Sequence, residues 1–347
     1  MTPNSPRPRG LRERLLESVE TKRLADTIDA GVREVEAGLP AELHFADDLA
    51  DTVARYLFDA GGKRMRPMLA LIMAQFGEGA TPEVITASRA IEMTHLASLY
   101  HDDVMDEAPL RRGVDSAHVT WSNSIAILTG DLLFSRASTI MSRLGPEAMA
   151  LQSETFERLC VGQLHETTGP AEGVDPVEHY LAVLSDKTGS LIAAAAKSGV
   201  RYSGAPGEFE DLAGEFGEKV GIAFQLADDV IDLSPAKADT GKLAGTDIRA
   251  GVATLPTLLL NRAALDDPDA AALRDRLARD VAVDDDAARA DLALALTELY
   301  HHPVTEATRA EARRFADEAV AALAPLPDIP AKRALLTFAD YAVTREG

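Results

Sequence analysis

Three times in this chain a pair of adjacent aspartates is followed three residues later by another: Asp47, Asp48 and Asp51; Asp102, Asp103 and Asp106; Asp228, Asp229 and Asp232. On a helix, spacing of i, i+1 and i+4 gathers carboxylates on one side, where unpaired charges repel. A hard divalent cation turns that repulsion into binding, and carboxylate oxygen is the donor that Mg²⁺ prefers. Two such clusters facing each other would hold a diphosphate through bridging metal. With this much aspartate, chance supplies roughly a quarter of such a motif per chain, so spacing alone does not select among them.

The neighbours do. Asp47, Asp48 and Asp51 sit on a segment whose Leu49, Val53 and Leu57 are expected to form a buried face, leaving the acids in solvent. The second cluster is followed by Arg111, Arg112 and Gly113, cations placed to meet anionic oxygens that a metal leaves uncovered. The third is followed by Lys242 within GKLAGTDI. GGKRMRP, from Gly61 to Pro67, adds Lys63, Arg64 and Arg66 at a glycine break before a helix, where flexible backbone and helix-start amides also favour phosphate. At a net charge of −21, cations are sparse in this chain, and these are grouped.

Helices must position these groups. Hydrophobic residues make up 46% of the 347 but aromatic ones only 5%, a balance that suits packed helices better than a β-sandwich. An all-α fold in one domain, residues 11–347, is expected, after a disordered tail over residues 1–10. Leu11 to Ala37 reads as an amphipathic helix closed by Gly38 and Pro40, and Leu43 to Ala60 as a second. Met68 to Phe76 reads as a buried run. Thr81 and Pro82 open a long helix reaching Asp106, followed by helices over Ser122 to Leu144 and Pro146 to Thr168. Asp175, Pro176 and Glu178 start the helix that carries Lys187, and Glu208 to Asp232 forms another. The acidic stretch Asp284 to Asp286 reads as solvated surface.

A chain this acidic is not expected to bind nucleic acid, which requires a basic face. Cys160 stands alone, with no zinc spacing near it; it is expected as a small buried apolar side chain in a reducing, cytoplasmic protein. No apolar run approaches the roughly 18 residues of a membrane span, which leaves at most peripheral membrane contact.

GGKRMRP, HDDVMDEAPLRRG, DKTG, FQLADDVID and GKLAGTD, in this order, resemble the trans-isoprenyl diphosphate synthase family, over roughly Leu43 to the end. The resemblance implies an isoprenoid-synthase helical bundle round a central cavity, usually a homodimer, with isopentenyl diphosphate and an allylic diphosphate as substrates. By the same resemblance Lys63, Arg66, His95 and Arg112 hold isopentenyl diphosphate. Arg111, Lys187 and Lys242 hold the allylic diphosphate with three Mg²⁺ ions bridged by Asp102, Asp106 and Asp228. Asp103, Asp229 and Asp232 are further ligands or orient metal-bound water, and Thr188 and Gln225 direct oxygen dipoles at the developing allylic cation. One departure is visible: many relatives carry lysine after the glycine where Val252 follows Gly251, and Arg249 is the nearby cation that would compensate.

In such a family, bulky side chains just upstream of the first motif stop elongation early. Here Ser98 and Ala97, then Thr94, Ala90 with Ile91, and Ala87 precede Asp102, a lane of roughly 22 Å, so a long-chain product of about C35 to C50 is expected. The alternatives are a short-chain synthase making farnesyl or geranylgeranyl diphosphate, or the non-catalytic subunit of a two-component synthase. A terpene cyclase or a head-to-head condensing synthase would lack a counterpart of GGKRMRP. Trp121 is expected in the core rather than at a dimer contact.

Overall fold

The computed structural model describes residues 19–235, 244–281 and 286–345. In chain order the helices are α1 (Val19–Glu42), α2 (Asp48–Asp59), α3 (Met65–Met73), α4 (Pro82–Met105), α5 (Ala117–Thr120), α6 (Asn123–Ser142), α7 (Pro146–Thr168), α8 (Pro176–Leu184) and α9 (Ser190–Tyr202). They continue with α10 (Phe209–Asp232), α11 (Thr246–Arg249), α12 (Leu255–Ala263), α13 (Pro268–Val281), α14 (Asp286–His301), α15 (Pro303–Ala322) and α16 (Pro330–Thr344). Among the described residues the strands are β1 (Leu110–Arg111) and β2 (Val114–Asp115), one antiparallel hairpin. The fold is the all-α bundle expected.

Helix α4 is central. Thr81 caps it by accepting from Val84 N–H, and Pro82 occupies the first turn, where its missing donor costs nothing. It is buried nearly all round, through Val84, Ala87, Ala90, Ile91, Met93, Leu96 and Ala97, as expected of a helix enclosed by others. Its closest partner is α6, where a side chain at Gly130 would meet the His101 ring at 2.3 Å and the Ala97 carbonyl at 3.2 Å. Helix α10 lies between α9 and α15, and Gly217 and Gly221 bring it within backbone distance of Ala193 and Gly189. Tyr100 and Phe216 are the largest fully enclosed side chains of the main core. A smaller core under α12–α15 gathers Leu260, Leu273, Leu296 and Leu299.

The structure corrects several expectations. Helix α1 does not end at Gly38 but runs through Pro40, because the fully buried Leu39 and Leu43 hold its last turn and Gly38 lies under the Arg89 guanidinium. Helix α2 starts at Asp48, since Asp47 caps it by accepting from Ala50 N–H. Leu49 is 49% exposed, and Val53, Ala54 and Leu57 form the inward face instead. Cys160 is exposed, because Leu159 and Gly162 take the inward face of α7. Trp121 is half-buried, edge-on to Tyr56 with ring centroids 5.0 Å apart. Residues 1–10, the start of the Leu11 to Ala37 helix, and Asp284 lie outside the described residues.

Candidate active site

The last turns of α4 and α10 face each other across a cavity of about 520 Å³, and Asp102, Asp106 and Asp228 line it. The remaining acids of the two motifs do not. Asp103 is fully buried and paired with Arg111 Nε at 2.5 Å. Asp229 turns inward, where Oδ2 accepts from the Tyr180 hydroxyl at 2.7 Å and from Leu255 N–H at 3.3 Å. Burial drives the Asp229 pKa well above the usual carboxylate range, against the pull of those bonds. Asp232 accepts from Asp247 N–H at 3.1 Å and thereby pins the start of α11. Each motif thus gives its first carboxylate to the cavity and its second to the scaffold.

Cations form the opposite wall. Lys63 and Arg64 come from the turn before α3, Arg66 from the first turn of α3, and Arg111 and Arg112 from the β1–β2 hairpin. Arg112 and Gly113 both have positive φ, 55° and 82°, as a two-residue hairpin turn requires. For a residue other than glycine this conformation costs about 1 kcal/mol, offset here by Arg112 Nη1 donating to the Leu57 carbonyl at 2.7 Å. Arg64 also has positive φ, 51°, at the N-cap of α3. His95 is in their midst. Burial, and then the charges of Arg66, Arg112, Arg111 and Arg64, push its pKa well below 6.5, so in the ligand-free protein it is neutral. Arg66 Nε is buried and lacks a partner among the described residues, an orphan donor that an anionic oxygen would satisfy.

Lys187 and Thr188 enter the cavity from a π-helical turn, Ser185–Gly189, joining α8 to α9. The sequence carried no sign of this wide turn, a form frequent at functional sites. Gly162 makes room for it, since a side chain there would lie 2.8 Å from Lys187 N. Arg158 clamps the turn, bonding Asp186 at 2.7 Å and Glu218 at 3.0 Å. Lys187 Nζ pairs with Glu166, and although burial acts against the charge, Asp102 and then Glu166 hold its pKa above the usual value. Gln225, one helical turn before Asp228, completes this wall.

Some expectations are not met by this geometry. Lys242 lies outside the described residues. Arg249 does not line the cavity; its Nε donates to the Ala244 carbonyl at 3.3 Å, so it does not stand in for a cation at Val252, which is 40% exposed. Of the small residues upstream of Asp102, Ser98 lines the cavity but Ala97, Thr94, Ala90 and Ala87 are sealed in helix packing. Ala97 lies in the close contact with Gly130, and Thr94 Oγ1 accepts from Gln152 Nε2 of α7 at 2.8 Å. The lane is closed in this state because small side chains there serve close approach between helices.

Other site residues escaped the sequence reading. Glu92 lines the cavity; its spacing of three residues before His95 and ten before Asp102 would have placed it on their stripe. Glu166 and Arg345 gave no such signal. Arg345, 6% exposed, donates to Asp228 Oδ1 at 2.7 Å and to the Phe224 carbonyl at 2.8 Å, with its guanidinium 3.5 Å from the Phe224 ring centroid.

Asp102, Asp106 and Asp228 are the oxygen donors a divalent cation takes, though among the described residues they do not close into a three-ligand cluster, and Asp228 is held by Arg345. Burial, opposed by Lys187 and aided by Asp106, raises the Asp102 pKa to about 6. Hard oxygen donors from two helices on one cavity are what such an ion takes, with an anion completing its shell.

The comparisons agree with the geometry. The family described as "Polyprenyl synthetase" matches residues 47–291. A nonaprenyl diphosphate synthase of Mycobacterium tuberculosis is 45% identical over 93% of this chain and 95% of its own length. A dimethylallyltranstransferase of the same organism is 39% identical, over 90% of this chain and 94% of its own. Among solved structures, a polyprenyl synthase from Caulobacter crescentus complexed with calcium and isoprenyl diphosphate superposes with TM-score 0.82 at 30% identity, over 94% of this chain and 98% of that one. With the motifs in register and both helix ends converging on one chamber, this chain belongs to the polyprenyl synthetase family and is a prenyltransferase.

Proposed function

We propose that the chain is a Mg²⁺-dependent all-trans polyprenyl diphosphate synthase that condenses isopentenyl diphosphate head-to-tail with an allylic diphosphate, giving a long-chain product of about C35 to C50. One observation carries the reading: Asp102, Asp106 and Asp228 share a cavity with Lys63, Arg66, Arg112 and Lys187. The long chain rests on the 45% identity to the nonaprenyl synthase.

Asp102, Asp106 and Asp228 would hold Mg²⁺, three ions by the family resemblance, which when bound would supply charge neutralisation for a leaving diphosphate. Arg111 and Lys187 bind that diphosphate from the protein side and are preorganised for the charge it gains, and the family resemblance adds Lys242 to them. Thr188 and Gln225 present oxygen dipoles to the carbon it leaves. Lys63, Arg66, Arg112 and His95 hold isopentenyl diphosphate so that its double bond faces the same carbon. The new carbon–carbon bond forms there, and the proton lost passes to the departed diphosphate.

Partnership is read in the same way. Ile127, Leu128 and Leu132 are 42%, 58% and 38% exposed along one side of α6, and Leu164 on α7 is 59% exposed. This apolar stripe supports a homodimer. Among the described residues no helix is long and apolar enough to cross a membrane; we place the enzyme in the cytoplasm, with peripheral membrane contact to release a greasy product.

A shorter product has one observation in its favour, since of the small residues along the lane Ser98 alone lines the cavity and the Gln152–Thr94 bond closes the lane beyond. Incubation of the purified chain with Mg²⁺, labelled isopentenyl diphosphate and each allylic primer, followed by sizing of the products, decides. Products of about C35 to C50 are expected. A ladder ending near C20 would establish the short-chain reading, and no turnover without a second subunit would make this chain a non-catalytic component. Ser98→Phe, which fills part of the cavity, is expected to shorten the product.

A further inference from the structure

The cationic wall contains a carboxylate that no diphosphate would welcome. Glu92 is 2% exposed, and it lines the cavity beside four arginines and His95. A buried carboxylate persists only when paired, and this one is: Oε1 accepts from Arg64 Nη1 at 2.9 Å. Arg64 is itself consumed by the protein. Its Nε donates to Glu36 at 3.0 Å, its guanidinium lies 5.0 Å from the Phe58 ring centroid, and only 5% of its side chain is exposed. It stands between Lys63 and Arg66 in the sequence, but two of its three nitrogens are committed to Glu36 and Glu92.

The backbone of the turn rests on this pair. A side chain at Gly62 would come within 2.6 Å of Arg64 Nη1 and 3.1 Å of Arg112 Nη2, so the glycine leaves the room that two guanidinium groups occupy. Arg64 takes its left-handed conformation at the same point. Fixing Arg64 therefore fixes where the turn delivers Lys63 and Arg66, and where Arg112 sits beside it. Glu92 is also the charge that most offsets the cost of burying Arg66 and Arg112.

We propose that Glu92 is a positioning residue for the isopentenyl diphosphate site, acting through Arg64 to set the 61–67 turn and touching no substrate. The proposal rests on the assignment of that site. Simple electrostatics and positioning predict opposite signs for its removal, which makes the residue informative. If charge alone mattered, Glu92→Gln would leave the wall more positive and tighten diphosphate binding. If position matters, the same change frees Arg64, the turn relaxes, and binding weakens.

Steady-state kinetics on the full chain with both substrates, with the ligand-free melting temperature of each variant, tests this. Glu92→Gln and Arg64→Met are each expected to raise KM for isopentenyl diphosphate by about tenfold, with KM for the allylic primer and kcat moved less than about twofold. The double variant is expected to match either single one, because both cut the same tether. A KM for isopentenyl diphosphate that falls or stays put in Glu92→Gln overturns the proposal, as do equal rises for both substrates or additive effects in the double variant. Should Glu92→Gln not fold, Glu92→Asp, which keeps the charge and withdraws it by one methylene, is expected to show the same split between substrates. Arg66→Ala separates the two levels of the claim. If it leaves KM for isopentenyl diphosphate unchanged, the site assignment itself fails; if Arg66→Ala raises it and the Glu92 variants do not, only the role of Glu92 falls.

Discussion

The two acidic helix ends that meet in the cavity share one spacing and differ in what holds the middle carboxylate. At the end of α4, Asp103 is tied by a cation, Arg111, brought from a hairpin eight residues on. At the end of α10, Asp229 is tied by a phenol and a backbone amide, Tyr180 and Leu255, from two other helices. The first anchor is ionic and local; the second is neutral and distant in sequence. In both, adjacent aspartates point about 100° apart round the helix, so one can work only if the other is buried. A pair of aspartates is here a ligand and its fastening.

The widest separation is expected between the cavity acids and all others. Asp102→Asn and Asp228→Asn should each lower kcat by about 10²- to 10³-fold, measured at saturating Mg²⁺ and substrates, because each removes charge from where the leaving group develops its own. An effect below about tenfold at either position would dissolve the distinction between ligand and fastening.

Next come the fastenings themselves. Asp103→Asn should destabilise the protein by about 3 kcal/mol in urea unfolding, since it leaves Arg111 without its buried partner. Asp229→Asn should cost only about 1 kcal/mol, because Asp229 is already driven toward its neutral form and an amide oxygen still accepts from Tyr180. Equal losses would mean that the two anchors are alike after all.

Smaller again is the effect of pH. A metal held by Asp102 would bind its ionised form, and its pKa of about 6 in the metal-free site lies above the ordinary value of 3.8. The rise in melting temperature produced by Mg²⁺ should therefore shrink as pH falls from about 7 through about 6, because the metal must then displace a proton. In the metal-free protein the sign is reversed. A raised carboxylate pKa means that the folded state takes up protons, so this group's penalty is present above pH 6 and is lost as pH falls toward 4. Melting curves with and without Mg²⁺ at a series of pH values would show both.

The third acidic copy sets the lower bound. Asp47 caps α2 and Asp51 accepts from His44 and Phe45 N–H, far from the cavity lining. Asp47→Ala should cost about 1 kcal/mol of stability and leave kcat unchanged.

Much of this arrangement was legible in the residues. Thr81 with Pro82, Pro146, and Asp175 with Pro176 marked helix starts because capping and the missing proline donor act locally. The facing of Asp102 and Asp228 was implied by the family resemblance that five motifs in order carry. What stayed hidden depended on contacts between distant segments. Nothing near Pro40 says that Leu39 and Leu43 will be buried firmly enough to carry α1 past a proline. Nothing near Asp228 points to Arg345, 117 residues away, and nothing in a stripe of alanines says whether it faces a tunnel or another helix. The division of each aspartate pair was also illegible, because it is set by Arg111 in one case and Tyr180 in the other.

The π-helical turn at Ser185–Gly189 sets a phase as well as a shape. It holds one residue more than an α-turn, which rotates everything from Ser190 onward by roughly 100° relative to Tyr180. Substitutions in this stretch act one side chain at a time, whereas losing a single residue would re-index α9 against α10 and turn the Gly189–Gly221 seam out of contact. Length, as well as the identity of Lys187 and Thr188, is what descendants of this sequence must keep there.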